Sequence, residues 1–257
     1  MIFDSHVHID AENTEPFIKV CKEYQIGALI NAESVCEYEA AQQVMQSQPT
    51  CFVSFGIHPW KSKKFCSEEK PLQTSERVAA LENYYRHADA IGEIGMDSVW
   101  CDIDLMIQRE VFTAQLDMAE ALLKPIVLHT KGQEKEIAQI LRNYSVKKLL
   151  HWYSCKEHLE EYLEQDCYFT VGPDFKRNQA VSSLIERVPL DRLLVETDGA
   201  MAVQWVLERK VYEQELPGIL SGTIQAIATI KNRKASEVEQ LLEENFYRFL
   251  QGNGNSR

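Results

Sequence analysis

Two imidazoles two residues apart, His6 and His8 in "FDSHVHID", stand near the start of the chain, although histidine occurs only seven times in its 257 residues. Side chains two apart on an extended strand point to one side, so both rings can converge on one cation. Asp4 is in phase with them and suited to orient an imidazole from behind. Further on, "FGIHPW" sets His58 between Gly56 and Pro59, and "IGEIGMD" sets Glu93 between two glycines. "PIVLH" and "KKLLH" run from aliphatic residues straight into His129 and His151, and "RLLVETD" ends in Glu196 and Asp198. A carboxylate at an apolar strand end is costly to bury unless a cation or donor compensates it. Taken singly, each site reads equally well as a structural histidine, a buried salt bridge or a helix cap, and Asp97 reads as structural.

As a set, His6, His8, Glu93, His129, His151 and Asp198 offer four imidazoles and two carboxylates. Zinc normally takes four partners, and a catalytic zinc leaves one position to water, so this set exceeds one tetrahedral ion. Two divalent ions fit better, with Glu93 turning one oxygen to each, His6 and His8 on one side, and His129 and His151 on the other. Mixed nitrogen and oxygen ligation suits zinc or manganese better than magnesium, though softness alone leaves all three open. The chemistry expected is hydrolysis by a metal-activated water, because coordination lowers the pKa of water by many units. Asp198 and Glu93 are the catalytic candidates: Asp198 to ligate, orient the water and take its proton, Glu93 to bridge.

These residues can act together only if distant segments meet. Eight short apolar or β-branched runs recur, at Ile2–Phe3, Ala28–Ile30, Cys51–Phe55, Ala90–Ile91, Ile126–Leu128, Lys148–Leu150, Tyr168–Val171 and Leu193–Val195. Helical spacing separates them, as in Val111, Leu116, Ala119 and Leu122, or Ile137, Ile140 and Leu141. Strand, helix, strand, repeated, implies parallel pairing through crossovers. The expectation is an α/β TIM barrel of eight such units, a single domain over residues 1–257. Function in such a barrel gathers at the carboxyl ends of the strands, which is where every member of the donor set falls. The segment Pro217 to Leu250 reads as helices covering the outside, Trp60 to Thr74 as a mobile surface loop, and "GNGNSR" as a frayed end.

Apolar residues at 45% and charged residues at 26% allow a sizeable core and argue against disorder. A formal net charge of −12 excludes a broad basic face for duplex nucleic acid or anionic membrane, while leaving room for local cations that recruit a phosphate. With no long apolar span and no secretory leader pattern, a cytoplasmic protein without membrane contact is expected. Cys21, Cys36, Cys51, Cys66, Cys101, Cys155 and Cys167 form an odd, scattered set without a CxxC pair, so free thiols are expected. Nothing in the chain calls for an obligate protein partner.

In this order, "DSHVHID", "FGIHPW", "IGEIGMD", "PIVLHTKG", "HWYS", "VGPDFK" and "DRLLVETD" resemble the TatD family of metal-dependent hydrolases, among the amidohydrolase-like barrels. The resemblance runs from residue 2 to about residue 250. It implies divalent ions held by residues matching His6, His8, Glu93, His129, His151 and Asp198, and phosphodiester hydrolysis, typically deoxyribonuclease activity. The chain departs from the family at Trp60, where a second histidine is usual, at Lys131, where an arginine is usual, and at "GAMAVQW", which replaces a proline-containing turn. An asparagine–glutamate–proline signature is also missing near "QELPG". A lysine point charge orients phosphate less tightly than a guanidinium fork. The altered rim therefore leaves open a small phosphoester, an amide, lactone or other ester, and a non-catalytic metal-binding barrel.

For a phosphodiester, His58, Lys131 and Lys176 are the expected substrate contacts. The negative charge favours single-stranded DNA ends entering a cationic mouth over a duplex footprint. Trp60, Trp152 and Tyr153 are suited either to stack on bases or to pack under the loops.

Overall fold

The structure, a computed structural model, describes residues 1–65 and 73–251; Cys66, the middle of the expected 60–74 loop and the "GNGNSR" end lie outside the described residues. All eight expected runs form strands: β1 (Phe3–Val7), β2 (Gly27–Ala32), β3 (Cys51–Phe55), β4 (Ala90–Asp97), β5 (Ile126–Lys131), β6 (Lys148–Leu150), β7 (Tyr168–Val171) and β8 (Leu193–Val195). Each pairs in parallel with the next, in sequence order. The sheet curls until β8 faces β1, where the Asp198 N–H donates to the His6 carbonyl at 3.0 Å. At the same seam Thr197 donates its N–H and hydroxyl to the Asp4 carboxylate at 2.9 and 2.5 Å. The result is a nearly closed (β/α)8 barrel.

Strands buried on both faces read as continuous apolar runs, because alternate residues serve different layers. Leu29, Val127, Leu149 and Leu194 belong to an interior cluster. Their neighbours Ile30, Leu128, Leu150 and Val195 face the helices, packing with Val44, Phe112, Leu116, Ile137 and Leu184. The two helices expected from spacing form at Leu105–Leu122 and Glu134–Leu141.

Several boundaries differ from expectation. β1 and β4 run on to Val7 and Asp97, so His6 and Glu93 sit inside strands and not after them. Polar residues and glycines resemble a loop, yet inside a barrel they face one another and the ladder continues. Asp4, expected behind an imidazole, instead holds Thr197 at the seam. Pro59–Lys64, placed in the loop by composition, forms a 3-10 helix. The last helix, Ala235–Leu250, joins the outer layer through Val238 and Leu242. Its Phe246 and Phe249 reach the interior cluster, with Phe246 stacked on Phe3 at 4.1 Å, so its end plugs the barrel and does not simply cover the wall. Among the described residues Cys21, Cys36, Cys51, Cys101, Cys155 and Cys167 are free thiols, and no helix is long and apolar enough to cross a membrane.

Candidate metal centre

The inward positions of β1 carry Asp4 and then His6, and His8 continues the same phase beyond the strand end. Glu93 comes from β4 and His129 from β5, while His151 and Asp198 lie just past β6 and β8. The closeness of β4 and β5 rests on Gly95: its φ is +152°, and a Cβ there would lie 1.9 Å from the His129 carbonyl oxygen. Any other residue would push β5, and His129 with it, away from Glu93.

These side chains form two nests that share Glu93. In the first, His6 Nε2 and His8 Nε2 are 3.1 Å apart. Glu93 Oε2 is 3.5 Å from each, and Asp198 Oδ1 is 3.6 Å from each. A tetrahedral ion at about 2.0–2.1 Å from its donors sets them about 3.3–3.4 Å apart, so this spacing fits a divalent cation. In the second, Glu93 Oε1 faces His129 Nδ1 at 2.7 Å and His151 Nε2 at 3.1 Å, while His151, its ring stacked on His6 at 3.9 Å, also forms a donor group with His6 and Glu93. His58 Nε2 closes this group, 3.3 Å from His129 Nδ1 and 3.8 Å from Glu93 Oε1. His58 lines the cavity where a substrate contact was expected, and its Nδ1 accepts the Trp60 backbone N–H at 3.3 Å, which leaves the ring proton on Nε2.

Charges in the nests oppose one another, as expected where a cation belongs. Burial would raise Glu93, but His151, His58 and His129 outweigh it and hold the carboxyl well below its usual range. Burial, with His151 nearby, keeps His6 well below the ordinary imidazole value. Burial also resists charge on His8, yet Glu93 and Asp198 prevail and lift it to about 9. Asp198 is raised to about 6, chiefly by burial. Burial lowers His58 to about 4.

Two carboxylates stand behind the imidazoles. Asp97 Oδ2 lies 3.1 Å from His129 Nε2 and accepts the Trp60 indole N–H at 2.7 Å. Its Oδ1 accepts the N–H groups of Val99 and Trp100 at 2.7 and 2.8 Å. The structural role expected for Asp97 is therefore orientation of His129. Glu196 is fully buried with Oε2 3.5 Å from His151 Nδ1, and neither of its oxygens has a hydrogen-bond donor among the described residues.

Above the nests opens a cavity of about 580 Å³, whose wall includes Glu33, Trp60, Trp100, Lys131, Trp152, Ser154, Asp174 and Trp205. Lys131 is present as expected, its Nζ 2.7 Å from Ser154 Oγ and 5.0 Å from the centroid of the Trp100 ring. Lys176 is not brought in: it is exposed on the surface, its Nζ 5.6 Å over Phe175. Trp152 is buried, its indole N–H donating to Asp174 at 2.8 Å. Tyr153 packs under the loops with its hydroxyl on the Glu157 carbonyl at 2.6 Å. Sequence reasoning passed over Glu33, Trp100 and Trp205. Glu33 follows the end of β2 and lies with His8 and Glu93 in a further donor group, while Lys61 Nζ approaches it at 2.8 Å. Extending the search for polar strand ends to β2 finds it.

The model of the TatD related DNase family matches residues 3–251. A metal-dependent hydrolase of Bacillus subtilis, YabD, is 24% identical over 98% of this chain and all of its own length. The 3'-5' ssDNA/RNA exonuclease TatD of Citrobacter rodentium is 27% identical over 79% of this chain and 78% of its own. Among solved structures, the TatD homologue YjjV of Escherichia coli superposes with a TM-score of 0.79 at 19% identity, covering 99% of this chain and 98% of that one.

Proposed function

The chain belongs to the TatD-related DNase family and is a metal-dependent hydrolase, and from that premise we propose that it cleaves phosphodiester bonds of single-stranded nucleic acid at a centre for two divalent ions. The observation that carries this reading is the division of Glu93, whose Oε2 meets His6 and His8 while its Oε1 meets His129 and His151. His6, His8, Asp198 and Glu93 Oε2 would hold one ion, and Glu93 Oε1, His129 and His151 the other, while His58, with its proton on Nε2, would be free to donate to the substrate phosphate. Zinc and manganese suit this donor set best. When bound, such ions supply a reactive water at neutral pH and draw charge from the phosphoryl oxygens.

The chain's own groups do the rest. Asp198, at the cavity wall, orients the attacking water and accepts its proton. Asp97 fixes the ring direction of His129, and Glu196 places a carboxylate 3.5 Å behind His151 Nδ1. Lys131 presents an ammonium to the phosphate, its pKa lowered by burial. Trp60, Trp100 and Trp205 offer ring faces to bases, which accords with the substrates in the names of the relatives.

Metal analysis and calorimetric titration, with rates on single-stranded oligonucleotides, a chromogenic phosphodiester and a lactone panel, test this reading. Two ions per chain and phosphodiester cleavage are expected. Hydrolysis confined to lactones, or metal and ligand binding without product, would overturn it.

A further inference from the structure

Trp60 and Trp100 are walls of two depressions at once: the cavity over the metal centre and, beside it, a groove of about 480 Å³ that Lys63, Ile103, Asp104 and Ile107 also line. Trp60 is 52% exposed and Trp100 54%. Indoles so placed on a rim leave a large apolar face in water unless a ligand covers it. Both rings are also held: Trp60 through its N–H on Asp97, and Trp100 through the Lys131 ammonium 5.0 Å from its centroid. A fixed ring face costs little ordering when a second ring stacks on it.

Charge decides what can lie in the groove. Among the described residues that line it, Lys63 is the one cation, against the carboxylates of Asp102 and Asp104. Asp104 is engaged as the cap of the helix Leu105–Leu122, accepting the Met106 N–H at 2.7 Å. A phosphate gains little from such a lining. A flat, uncharged aromatic ring gains more, because it stacks on an indole and meets Ile103 and Ile107.

Resting on the nuclease reading above, we infer that this groove is a nucleobase subsite: it takes the base adjoining the scissile phosphate of a single-stranded polynucleotide, while that phosphate lies over the metal centre. Recognition is then led by bases and not by phosphates. Lys131 is the one lysine or arginine in the cavity wall among the described residues. One neutralised phosphate gives a salt slope of about −0.7, so affinity should fall only about threefold between about 50 and 200 mM salt.

The test uses the metal-loaded protein on single-stranded DNA and RNA oligonucleotides in parallel arms, and on bis-p-nitrophenyl phosphate, a small diester without nucleobases. Ile107→Glu puts a charged side chain in the groove, at a first-turn position where a carboxylate suits the helix dipole. Trp100→Ala removes a stacking face. Loss of a base stack costs about five- to 150-fold in affinity, so KM for the oligonucleotides should rise by about tenfold in both variants. In Ile107→Glu, kcat/KM for the small diester should stay unchanged. A rise in either arm supports the subsite and names the polynucleotide it takes. Oligonucleotide cleavage with the same KM in wild type and both variants overturns the subsite and leaves the nuclease reading standing. An equal loss on the small diester in Ile107→Glu also overturns the subsite. Failure of the wild type to cleave any phosphodiester overturns the nuclease reading itself.

Discussion

His129 Nε2 lies 3.1 Å from Asp97 Oδ2, and the opposite nitrogen of the same ring, Nδ1, lies 2.7 Å from Glu93 Oε1. One buried carboxylate thus anchors the ring from behind while the other meets it at the metal centre. Asp97 takes its own direction from the Trp60 indole and from the N–H groups of Val99 and Trp100, so Trp60 feeds the orientation of a donor.

Asp97→Asn exchanges one of these anchoring acceptors for an amide. Removing such a partner lowers metal affinity by about 10- to 100-fold. Calorimetric titration should show the loss in one of two binding steps, the one assigned to Glu93 Oε1, His129 and His151. Trp60→Phe, which keeps an aromatic ring but loses the indole N–H with part of the ring area, should move the same step by less.

Asp198→Asn retains the shape and removes the proton acceptor. Turnover should fall by about 10²- to 10⁴-fold, with the melting temperature little changed because the Asp198 backbone, and not its side chain, ties the seam to His6. Retained activity in a metal-replete sample would take Asp198 out of the catalytic role.

The pH dependence of metal uptake at the nest of His6, His8, Asp198 and Glu93 Oε2 follows from His8 and Asp198. Without metal, His8 is held near 9 and is protonated at neutral pH, so binding must expel that proton. The logarithm of the apparent affinity should therefore rise by about one per pH unit from neutrality to about pH 9 and then level off. Below about pH 6 the protonation of Asp198 steepens the loss. Calorimetry in buffers of different ionisation enthalpy counts the released protons, and zero release at pH 7 would contradict a protonated His8 in the metal-free protein.

Gly95→Ala should damage fold and centre together. Its Cβ would lie 1.9 Å from the His129 carbonyl oxygen, a backbone atom that can yield only if β5 moves. A loss of at least about 1–3 kcal/mol is expected, as for other overpacked sites, read as a lower melting temperature with weaker metal binding. Gly218→Ala, where a Cβ meets nothing within 4 Å, is the control.

The eight strands were legible because a parallel barrel buries both faces of each strand, which leaves a run of aliphatic residues with little alternation. The donor residues were legible for the complementary reason: His129, inside β5, and His151, just past β6, interrupt such aliphatic runs. The reach of β1 and β4 was not, since His6 and Glu93 look like loop residues until the groups opposite them are known. Glu33 was passed over because β2 ends without a histidine, although its carboxylate follows that strand directly. Lys176 matched a motif block, yet its own side chain is exposed over Phe175, while Asp174 of the same turn lines the cavity.

By itself the sequence determined the alternation of elements, the end of the barrel at which chemistry gathers, and the identities of the six donors proposed from it, because each of these follows from local periodicity and the cost of burying polar groups. Only the tertiary structure decided which donors face each other. It placed His58 among the imidazoles, gave Asp4 to the seam and set Asp97 and Glu196 behind the rings. Those outcomes depend on curvature and register across the barrel, where residues far apart in the chain come within about 3–4 Å, a distance that no local pattern encodes.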